Sequence, residues 1–575
     1  MSSIAHDSAP DRLEIEMDDA GRAKAVSADN KKMTVHQAIA KALIDNGVEV
    51  VFGLLGDANM FTIDSFVHEY GGRFVAAGHE TGAALMALGY ASLSGKVGVV
   101  SVTHGPAVSN TVTPLIEAVK GSLPILLLCG DTKAEDREQN QNIPQRDIIV
   151  ATGAGFEQVR SARTVVQDLA RAMRRAIAER RPVALNIPFD FDWTAIDYQP
   201  VPVLTPDNRA LVGESVDLDN AIGILAAAKR PVIIAGRGAA TAAARETILK
   251  LARRIEAPLA TTLKAKDLFR GEDYNLGISG TVSTPVAVET IMEADCILSF
   301  GASLTFRTTS HGAFLKGKRV IQVNLEPGEI GTNAQPDVGL VGEPGRVADL
   351  IHHWLDEADI PPSGWYGEAL KSRIENAEPE LDPDLDYDNG TVNFRRALLH
   401  LDAAVPQDRV VVTDGGRFMR HAWQLARSSG LNSFIAPCNS GSIGLGFSHA
   451  IGAWFAAKGR PVFLVSGDGG FVHGGLAEFS TAVRQKVDLI VVICNDGAFG
   501  SEIAKFAGKV SDRRMTPELI TFDWPEFAPV AQALGGDGVT VRTFEDLALA
   551  EEAIRNRTRP LLIDLKVDPY RMQMA

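Results

Sequence analysis

The sequence predicts an α/β protein built from three doubly wound parallel-sheet domains. Its short apolar runs do not alternate in polarity, which is typical of strands covered on both faces; examples are VALNIPFD, PVIIAG, VFLVSGDG and LLIDLKV. Arg-Pro pairs close helix-like stretches ahead of these runs, and a proline can stop a helix and open a strand without losing a ladder hydrogen bond. The pairs are Arg181-Pro182, Arg230-Pro231, Arg460-Pro461 and Arg559-Pro560. Strands that alternate with helices imply layers joined by right-handed crossovers.

Two proline-rich breaks, DYQPVPVLTPDNR and PPSGWYGEALKSRIENAEPELDPDLDYDNG, divide the chain. The first thirty residues are charged and rich in Ala and Ser, without an apolar signal core, so we expect a flexible tail there. The segments between the breaks have the usual size of a domain. The expected organisation is a tail over 1–30, a first domain over 31–195, a second over 210–358, a linker over 359–390 and a third domain over 391–575.

The composition of the 575-residue chain is that of a globular protein, with 45% hydrophobic and 22% charged residues. A net charge of −15 without a basic patch argues against a nucleic-acid partner. The four cysteines are far apart in sequence, which argues against a zinc ribbon or a disulfide framework and fits a reducing cytoplasm. No run of 18 apolar residues exists, so we expect no membrane span.

A glycine-rich segment, VSGDGGFVHG, begins at the end of the apolar run VFLV. Asp-Gly between apolar runs is also a hairpin signal, so the segment alone leaves a turn and a ligand-binding loop open. One helix-like stretch and one apolar run later comes Asn495, with 25 residues between Gly469 and that asparagine. In a parallel sheet this spacing places Asp468 and Asn495 at adjacent strand ends, which is where ligands bind.

The chemistry of these positions indicates a metal-bound diphosphate. A carboxylate from Asp468, an amide oxygen from Asn495 and the main-chain carbonyl of Gly497 are hard oxygen ligands that suit Mg²⁺, which takes phosphate oxygens for its remaining positions. Glycines beside the carboxylate let a diphosphate approach the backbone. A hairpin explains none of this spacing.

The GDG segment with its distant asparagine resembles the diphosphate-binding motif of thiamine-diphosphate enzymes. The resemblance covers roughly residues 32–565 and is strongest to acetohydroxyacid (acetolactate) synthases and their relatives. It implies thiamine diphosphate and Mg²⁺ as cofactors, and it names the three domains pyrimidine-binding, central nucleotide-binding-like and diphosphate-binding. The residues that it assigns to the diphosphate and its metal are Gly467, Asp468, Gly469, Gly470, Asn495 and Gly497.

Two further segments of the third domain extend this resemblance. Asp414-Gly415-Gly416-Arg417 follows the run RVVVT and is similar to the family loop that holds the diphosphate, which assigns Gly416 and Arg417 to the cofactor. NSGSIGLGFSHAIGA resembles the segment whose bulky residue lies under the thiazolium ring. By position that residue is Ile443, next to Ser442; without the resemblance Ile443 reads as ordinary core packing.

The family also requires a glutamate from the first domain. Glu80, in RFVAAGHETGAALMALGYASL, follows an apolar strand and begins a helix. A carboxylate there is also favoured by the helix dipole alone. The resemblance implies that Glu80 hydrogen-bonds the aminopyrimidine ring of the cofactor and assists its deprotonation.

The residues at the substrate end are similar to two different groups of relatives. Asp57, in VFGLLGDANM, and Glu502, in NDGAFGSE, resemble pocket acids of pyruvate and indolepyruvate decarboxylases. Gln145 resembles a glutamine of the synthases, and His104 occupies a position that is commonly small there. Each of these could also be a satisfied polar group, but two acids and a histidine that converge on one pocket would suit proton delivery.

The second domain contains a strand, a GxG turn and a helix in IIAGRGAATAAARE, which alone is weak evidence for a nucleotide. Together with SGT, FGASLTFR and VNLEPGEIGTN it resembles the segments that bind FAD in the synthases or ADP in oxalyl-CoA decarboxylase. The flavin-binding FDDR pattern is replaced by LTFR. FAD, ADP and an empty domain, as in benzaldehyde lyase, are therefore three alternatives.

Three functions follow from these residues. The first is a carboligase that decarboxylates a 2-oxo acid and joins the product to a second carbonyl compound. The second is a decarboxylase that releases an aldehyde, and the third is an inactive cofactor-binding protein, which intact Glu80, Asp468 and Asn495 argue against. Because the family builds its site from two subunits, we also expect a homodimer or homotetramer.

Overall fold

The computed structural model describes residues 32–133, 135–136, 138–204, 213–377, 386–387, 389–510 and 514–572, so the expected tail over 1–30 lies outside the described residues. It contains three six-stranded parallel sheets, each with helices packed against it. The predicted α/β architecture of three doubly wound domains is confirmed. No helix in these ranges is long and apolar enough to cross a lipid bilayer.

The first domain has a sheet in the order β3-β2-β4-β5-β7-β6, and β1 pairs with β8 beside it. Its strands are β1 Lys32–Thr34, β2 Val50–Gly53, β3 Arg73–Ala76, β4 Gly98–Val102, β5 Ile125–Asp131, β6 Gly155–Gln158, β7 Pro182–Pro188 and β8 Ala195–Asp197. Its helices are α1 Val35–Asp45, α2 Met60–Asp64, α3 Glu80–Ser94, α4 Pro106–Ser109, α5 Val112–Gly121, α6 Gln145–Ala151 and α7 Val165–Ala178.

The second domain has the strand order β11-β10-β9-β12-β13-β14, which is 3-2-1-4-5-6 when its strands are counted along the chain. This is the order of dinucleotide-binding folds. Its strands are β9 Pro231–Ala235, β10 Leu259–Thr261, β11 Asn275–Ile278, β12 Cys296–Phe300, β13 Arg319–Asn324 and β14 Val338–Val341. Its helices are α8 Val216–Ala227, α9 Ala242–Ile255, α10 Pro285–Glu293 and α11 Pro344–Glu357.

The segment expected as a linker contains regular structure. Helix α12 spans Glu368–Glu375, and the short strands β15 Asp386–Tyr387 and β16 Thr391–Val392 pair antiparallel. The helix forms because GEALKSRIEN carries no proline and buries Leu370, while Trp365 and Ile374 pack against the core of the second domain.

The third domain repeats the strand order of the first. Its sheet runs β18-β17-β19-β20-β22-β21, and both sheets read 2-1-3-4-6-5 when their strands are counted along the chain. Its strands are β17 Val410–Thr413, β18 Phe434–Ile435, β19 Val462–Gly467, β20 Leu489–Asn495, β21 Asp537–Val541 and β22 Leu561–Lys566. Its helices are α13 Phe394–Ala404, α14 Met419–Leu425, α15 Gly446–Ala456, α16 Asp468–Gly470, α17 Leu476–Arg484, α18 Gly500–Ala507, α19 Phe527–Ala533 and α20 Asp546–Asn556.

Helices α3 and α15 join the first and third domains by direct backbone packing. A Cβ at Gly89 would overlap the carbonyl group of His449, and a Cβ at Gly452 would overlap that of Met86. Glycines on each helix therefore allow an approach that no other residue permits. Around this contact the apolar residues of the two domains form one continuous core.

Candidate active site

The candidate diphosphate site lies where the strand order of the third domain reverses, between β17 and β19. Residues 414–417 follow β17, residues 468–470 follow β19, and β20 ends at Asn495. The register pairs Gly467 with Cys494, so Asp468 and Asn495 are neighbours at the same edge of the sheet. Their predicted adjacency is therefore observed, at the position where open α/β sheets bind ligands.

Asp468 begins a helical run immediately, without the intervening loop that its glycines suggested. Its Oδ1 accepts from the N–H of Gly469 at 2.7 Å, and its Oδ2 accepts from the N–H of Gly497 at 2.8 Å and from Nε1 of Trp524 at 3.2 Å. Burial raises the pKa of this carboxyl to about 6, against the effect of those hydrogen bonds. A buried carboxylate held in this way is well placed to be neutralised by a cation.

Asn495 presents its amide in a fixed direction. Its Nδ2 donates to Oδ1 of Asp564 at 2.8 Å, and its oxygen accepts no hydrogen bond from the described residues. Gly497 has a left-handed backbone, with φ of 60°, and its carbonyl accepts from the N–H of Phe522 at 2.8 Å. The amide oxygen of Asn495 is thus available to a metal, whereas the carbonyl of Gly497 would have to use its second lone pair.

The neighbouring acid, Asp496, supports a cation at this place. Burial raises its pKa to about 7, and the nearby charge of Asp468 adds to that shift. Two carboxyl groups that oppose each other's ionisation suit a divalent cation. The described residues hold no group of three or more His, Cys, Asp or Glu side chains with metal-ligating geometry. The oxygens present fit Mg²⁺ that completes its shell with water and phosphate.

Asp414 connects the glycine-rich loops of the site through hydrogen bonds. Its Oδ1 accepts from the N–H groups of Gly415 at 2.7 Å and Gly444 at 3.1 Å, and its Oδ2 accepts from Oγ of Ser466 at 3.0 Å. A Cβ at Gly470 would lie 2.8 Å from Oδ2 of Asp414, so only glycine fits there without a shift. This carboxylate therefore sets the spacing between the loops that follow β17 and β19.

These loops enclose a cavity of about 70 Å³ that is open to solvent. Ile443 is 37% exposed beside it, and its Cγ2 lies 3.5 Å from where a Cβ of Gly415 would be. Arg417 donates to the carbonyl of Pro569, while its buried Nε has no acceptor in the described part of the chain. An orphaned guanidinium N–H on a glycine-lined cavity fits an anionic diphosphate. The cavity is lined by Gly415, Gly416, Arg417, Phe418, Ile443, Gly467, Asp468, Gly469, Gly470, Cys494, Asp496, Ala498, Phe499, Gly500, Ser501 and Glu502. Ser442 is partly buried next to Ile443. The hydroxyl of Ser442 donates a hydrogen bond to the carbonyl of Ile443.

The candidate proton-transfer residues of the first domain form one cluster. Asp57 Oδ1 accepts from Oγ1 of Thr103 at 2.9 Å and lies 3.9 Å from Nδ1 of His104. The His104 ring is fully buried and stacked on Phe189, and its Nε2 has no hydrogen-bond partner among the residues that the structure describes. Asp57 itself is half-exposed. The structure thus brings Asp57 and His104 together, with Thr103 between them.

Gln145 lies beside this cluster, with both ends of its amide engaged inside the domain. Its Oε1 accepts from the N–H of Gly105, and its Nε2 donates to the carbonyl of Gly130 at 2.9 Å and to Oδ1 of Asn186 at 2.7 Å. Glu502 lies on the cavity of the third domain, half-exposed and 3.3 Å from Lys505. No hydrogen bond or ion pair between described residues joins Glu502 to Asp57 or His104.

Glu80 begins helix α3, as its place in the sequence predicts. Its Oε2 accepts from Nδ2 of Asn110 at 3.0 Å, and its side chain is 12% exposed. The residue before it, His79, caps the helix by accepting from the N–H of Thr81. Among the described residues, no hydrogen bond or ion pair joins Glu80 to the cavity of the third domain.

The GxG turn of the second domain is closed on itself. The N–H of Gly238 donates to the carbonyl of Gly301 at 3.1 Å, and that of Ala239 donates to Gly236 at 3.0 Å. A Cβ at Gly236 would overlap the same carbonyl of Gly301. The amide donors that a nucleotide diphosphate would use at this turn are therefore occupied.

Comparison with protein families identifies all three domains. Residues 33–151 match the N-terminal TPP-binding domain of thiamine pyrophosphate enzymes, residues 218–351 the central domain, and residues 414–565 the C-terminal TPP-binding domain. The chain belongs to the thiamine pyrophosphate enzyme family. Its TPP-binding domains are the two that carry Glu80 and the Asp468–Asn495 pair, which supports thiamine diphosphate as the cofactor.

Curated relatives of this thiamine pyrophosphate enzyme cover nearly the whole chain. Sulfoacetaldehyde acetyltransferase of Castellaniella defragrans is 29% identical, over 94% of this chain and 95% of the relative. A probable acetolactate synthase large subunit of Methanococcus aeolicus is 27% identical, over 93% and 92%. The acetolactate synthase isozyme 2 large subunit of Escherichia coli K12 is 26% identical, over 92% and 95%. The enzyme is therefore similar to acetolactate synthase-like proteins.

Sequence reasoning did not identify several residues that surround the site. Trp524, Asp564, Thr103 and Asn110 each contact a candidate site residue, at Asp468, Asn495, Asp57 and Glu80 respectively. Asp564 gave one signal, because it is the single charge in the apolar run LLIDL. A lone acid inside a buried strand requires a polar partner.

Proposed function

We propose that this thiamine pyrophosphate enzyme decarboxylates a 2-oxo acid and joins the product to a second carbonyl compound, with Mg²⁺ as the metal. The adjacency of Asp468 and Asn495 at the strand-order reversal carries the proposal, because it supplies oxygen ligands beside a glycine-lined cavity with an orphaned arginine N–H. The whole-length similarity to acetolactate synthases supports the carboligase form.

In this proposal the third domain binds and orients the cofactor. Asp468, Asn495 and the carbonyl of Gly497 would hold Mg²⁺, while Gly416, Arg417, Gly467, Gly469 and Gly470 would line the diphosphate. Ile443 and Ser442 would contact the bound cofactor. When bound, thiamine diphosphate supplies a nucleophilic carbon and an electron sink for the bond that is cleaved or formed. Glu80 would hold a proton for the cofactor.

The remaining candidates are assigned to proton transfer and substrate positioning. Thr103 and His104 orient the Asp57 carboxylate, which exchanges a proton with the substrate, and Glu502 does so from the cavity of the third domain. Gln145, held on three sides, keeps the N–H of Gly105 in place next to His104. These roles rest on the contacts within each domain and on the assembly proposed next.

We infer that the active unit is at least a homodimer. In the described part of the chain Glu80 has no contact with the diphosphate cavity, so a second copy would supply it. A site shared between two copies needs a C2 interface, and a large one if the protein is always assembled. A dimer and a tetramer both satisfy this requirement.

The four free cysteines accord with a cytoplasmic enzyme.

For the second domain we favour the alternative without a nucleotide, because the amides of its GxG turn are occupied by Gly301 and Gly236. FAD and ADP are tested by the absorbance of the purified protein and by calorimetric titration. A stoichiometric nucleotide would overturn this preference.

Product analysis tests the proposed reaction. The purified enzyme with thiamine diphosphate and Mg²⁺ is given pyruvate and other 2-oxo acids, alone and with a second carbonyl compound such as sulfoacetaldehyde. Ligated hydroxyketones or hydroxyacids support the carboligase. Free aldehyde alone supports the alternative, a simple decarboxylase, which the pocket acids Asp57 and Glu502 favour.

A binding experiment tests the cofactor site itself. Asp468→Ala should abolish binding of thiamine diphosphate in the presence of Mg²⁺, because the diphosphate loses its metal bridge. Asp523→Ala, at an exposed acid next to Trp524, is the matched control. Equal affinity of the Asp468 variant and wild type would remove the assignment. Failure of wild type to bind the cofactor would favour the inactive protein instead.

A further inference from the structure

We propose that Glu478, on helix α17 of the third domain, is a positioning residue for Glu80 of the same chain. The inference rests on the proposed function only in taking Glu80 to act on the cofactor. The Glu478 side chain is buried, with 2% exposure. It reaches across the domain boundary to the segment just before α3.

The contacts of Glu478 are with the backbone that leads into Glu80. Oε1 accepts from the N–H of Gly78 at 3.1 Å and of His79 at 3.1 Å, and Oε2 accepts from Gly78 at 3.0 Å. Hydrogen bonds from backbone N–H groups to a carboxylate are stronger than those to a neutral acceptor. They fix the turn from which the Glu80 side chain leaves the backbone.

The helix carrying Glu80 has a gap that admits this carboxylate. A Cβ at Gly82 would overlap Oε1 of Glu478, so glycine at this helical position is what allows the approach. Glu478 of the third domain and Gly82 of the first domain therefore form one contact across the domain boundary.

Glu478 is too far from the cofactor cavity to act there directly. It lies ten residues after Asp468 in a continuous helical run, with a π-helical turn at Phe471–Gly475, which corresponds to about 15 Å along the axis. It is also absent from the residues that line the cavity. Its contacts with Gly78 and His79 therefore connect it to the chemistry through Glu80.

Arg484 provides a matched comparison on the same helix. Its Nη2 donates to the carbonyl of Ala76 at 2.9 Å, at the end of β3. It therefore joins the same helix to the strand that precedes the turn, but it has no hydrogen bond to Gly78 or His79. A variant of Arg484 loosens the domain contact without releasing the turn before Glu80.

Amide hydrogen exchange in the cofactor-free protein tests the contact first. Glu478→Gln replaces one acceptor oxygen with an NH₂ group that opposes the backbone N–H groups. Gly82→Ala expels the unchanged carboxylate and provides a second, independent variant. Both should speed exchange in peptides covering residues 77–82 by about tenfold or more, whereas Arg484→Gln should leave those peptides at the wild-type rate.

The functional readout is the exchange of the C2 proton of bound thiamine diphosphate for deuterium, measured by NMR after an acid quench, which requires no substrate. Both variants should slow it by about 10- to 100-fold, because small misplacement of a reacting group has effects of that size. Their cofactor affinity should remain within about threefold of wild type, since Asp468 and Asn495 are untouched.

Each other outcome overturns the proposal. Unchanged amide exchange at residues 77–82 in both variants would show that Glu478 does not hold the turn. Faster amide exchange with a normal C2-exchange rate would show that the turn does not position Glu80. A slowed C2 exchange that Arg484→Gln shares would make Glu478 an ordinary docking contact. If Glu80→Gln itself leaves C2 exchange unchanged, the proposed role of Glu80 fails separately.

Discussion

Asn495 and Asp564 are joined by a 2.8 Å hydrogen bond from the amide nitrogen to the carboxylate. Asp564 is fully buried, and its other oxygen accepts from the N–H of Phe527 and pairs with Lys566 at 2.8 Å. With its nitrogen committed to Asp564, the amide of Asn495 has only its oxygen to offer a metal. The ligand set of the candidate site thus depends on a carboxylate that does not itself belong to it.

We predict that Asp564→Asn weakens the binding of thiamine diphosphate by about 10- to 100-fold at a fixed concentration of Mg²⁺, the range found when partners of metal ligands are changed. An asparagine can present either end of its amide, so Asn495 is free to turn its own. Calorimetric titration of the cofactor-free protein measures the effect. Asp537→Asn, on the neighbouring edge strand β21, is the control and should bind as wild type does; equal affinity in the Asp564 variant would contradict the argument.

Glu80→Gln should keep the fold and most of the cofactor affinity but slow C2-proton exchange and turnover by about two or more orders of magnitude. An amide still hydrogen-bonds the ring but cannot share a proton with it. Exchange is followed by NMR, and affinity by titration. Glu49→Gln, which removes an exposed acid paired with Lys96, controls for loss of charge in the same domain. Normal exchange in the Glu80 variant would exclude it from the chemistry.

The cofactor-dependent activity should disappear on dilution to the monomer. The reason is that Glu80 has no contact with the diphosphate cavity within the described chain. Light scattering at the assay concentration gives the mass, and activity is measured over the same dilution series. An active monomer at that concentration would contradict a site shared between subunits.

Asp57→Ala and Glu502→Gln should each shift the products from free aldehyde towards ligated hydroxyketone. If these acids deliver protons, their loss lets the bound product of decarboxylation persist until an added aldehyde captures it. The product ratio is measured at saturating 2-oxo acid, where a change in substrate affinity through lost charge has no effect. Asp64→Ala, at an exposed acid of the first domain, is the control. An unchanged ratio in both variants would make the two acids structural.

Stability should fall as the pH rises through the range in which Asp192 ionises. Burial raises the pKa of this carboxyl from 3.8 to about 7, and the charge of Asp190 adds to the shift. The folded protein therefore keeps a proton that the unfolded chain loses, so the free energy of unfolding decreases between about pH 4 and pH 7. Asp192→Asn should remove that decrease, with a gain on the order of 4 kcal/mol at pH 8 and none at pH 4. Urea titrations at both values measure it, and parallel pH profiles for variant and wild type would refute it.

Residues whose position follows from strand order were predictable from the sequence. Asp468 and Asn495 end two apolar runs joined by one helix, and a right-handed crossover leaves those strand ends side by side. Glu80 follows a strand and opens a helix for the same reason. The chain-level pattern is enough in these cases because the sheet determines the geometry.

Residues whose role depends on packing between distant segments were not predictable. Trp524 donates to Asp468 from an irregular segment 56 residues away. No motif in the sequence around Trp524 indicates this contact. Gln145 was expected at the substrate, yet its amide is held by Gly105, Gly130 and Asn186, because strands β5 and β7 and the segment after β4 meet at that point. Helix α12 was not predicted within the proline-rich segment for a similar reason, because its stability depends on packing against the second domain.

Helices α3 and α15 touch through their backbones at Gly89 and Gly452, and this contact limits how substrate can enter the site and product can leave it. Helices that touch along their main chains cannot slide or separate without breaking the continuous core around them, so the first and third domains of one chain move as a single body. Substrate entry and product release therefore cannot use a hinge between these two domains. They depend on smaller motions, of loops or of one subunit against another, and such motions can set the rate of turnover.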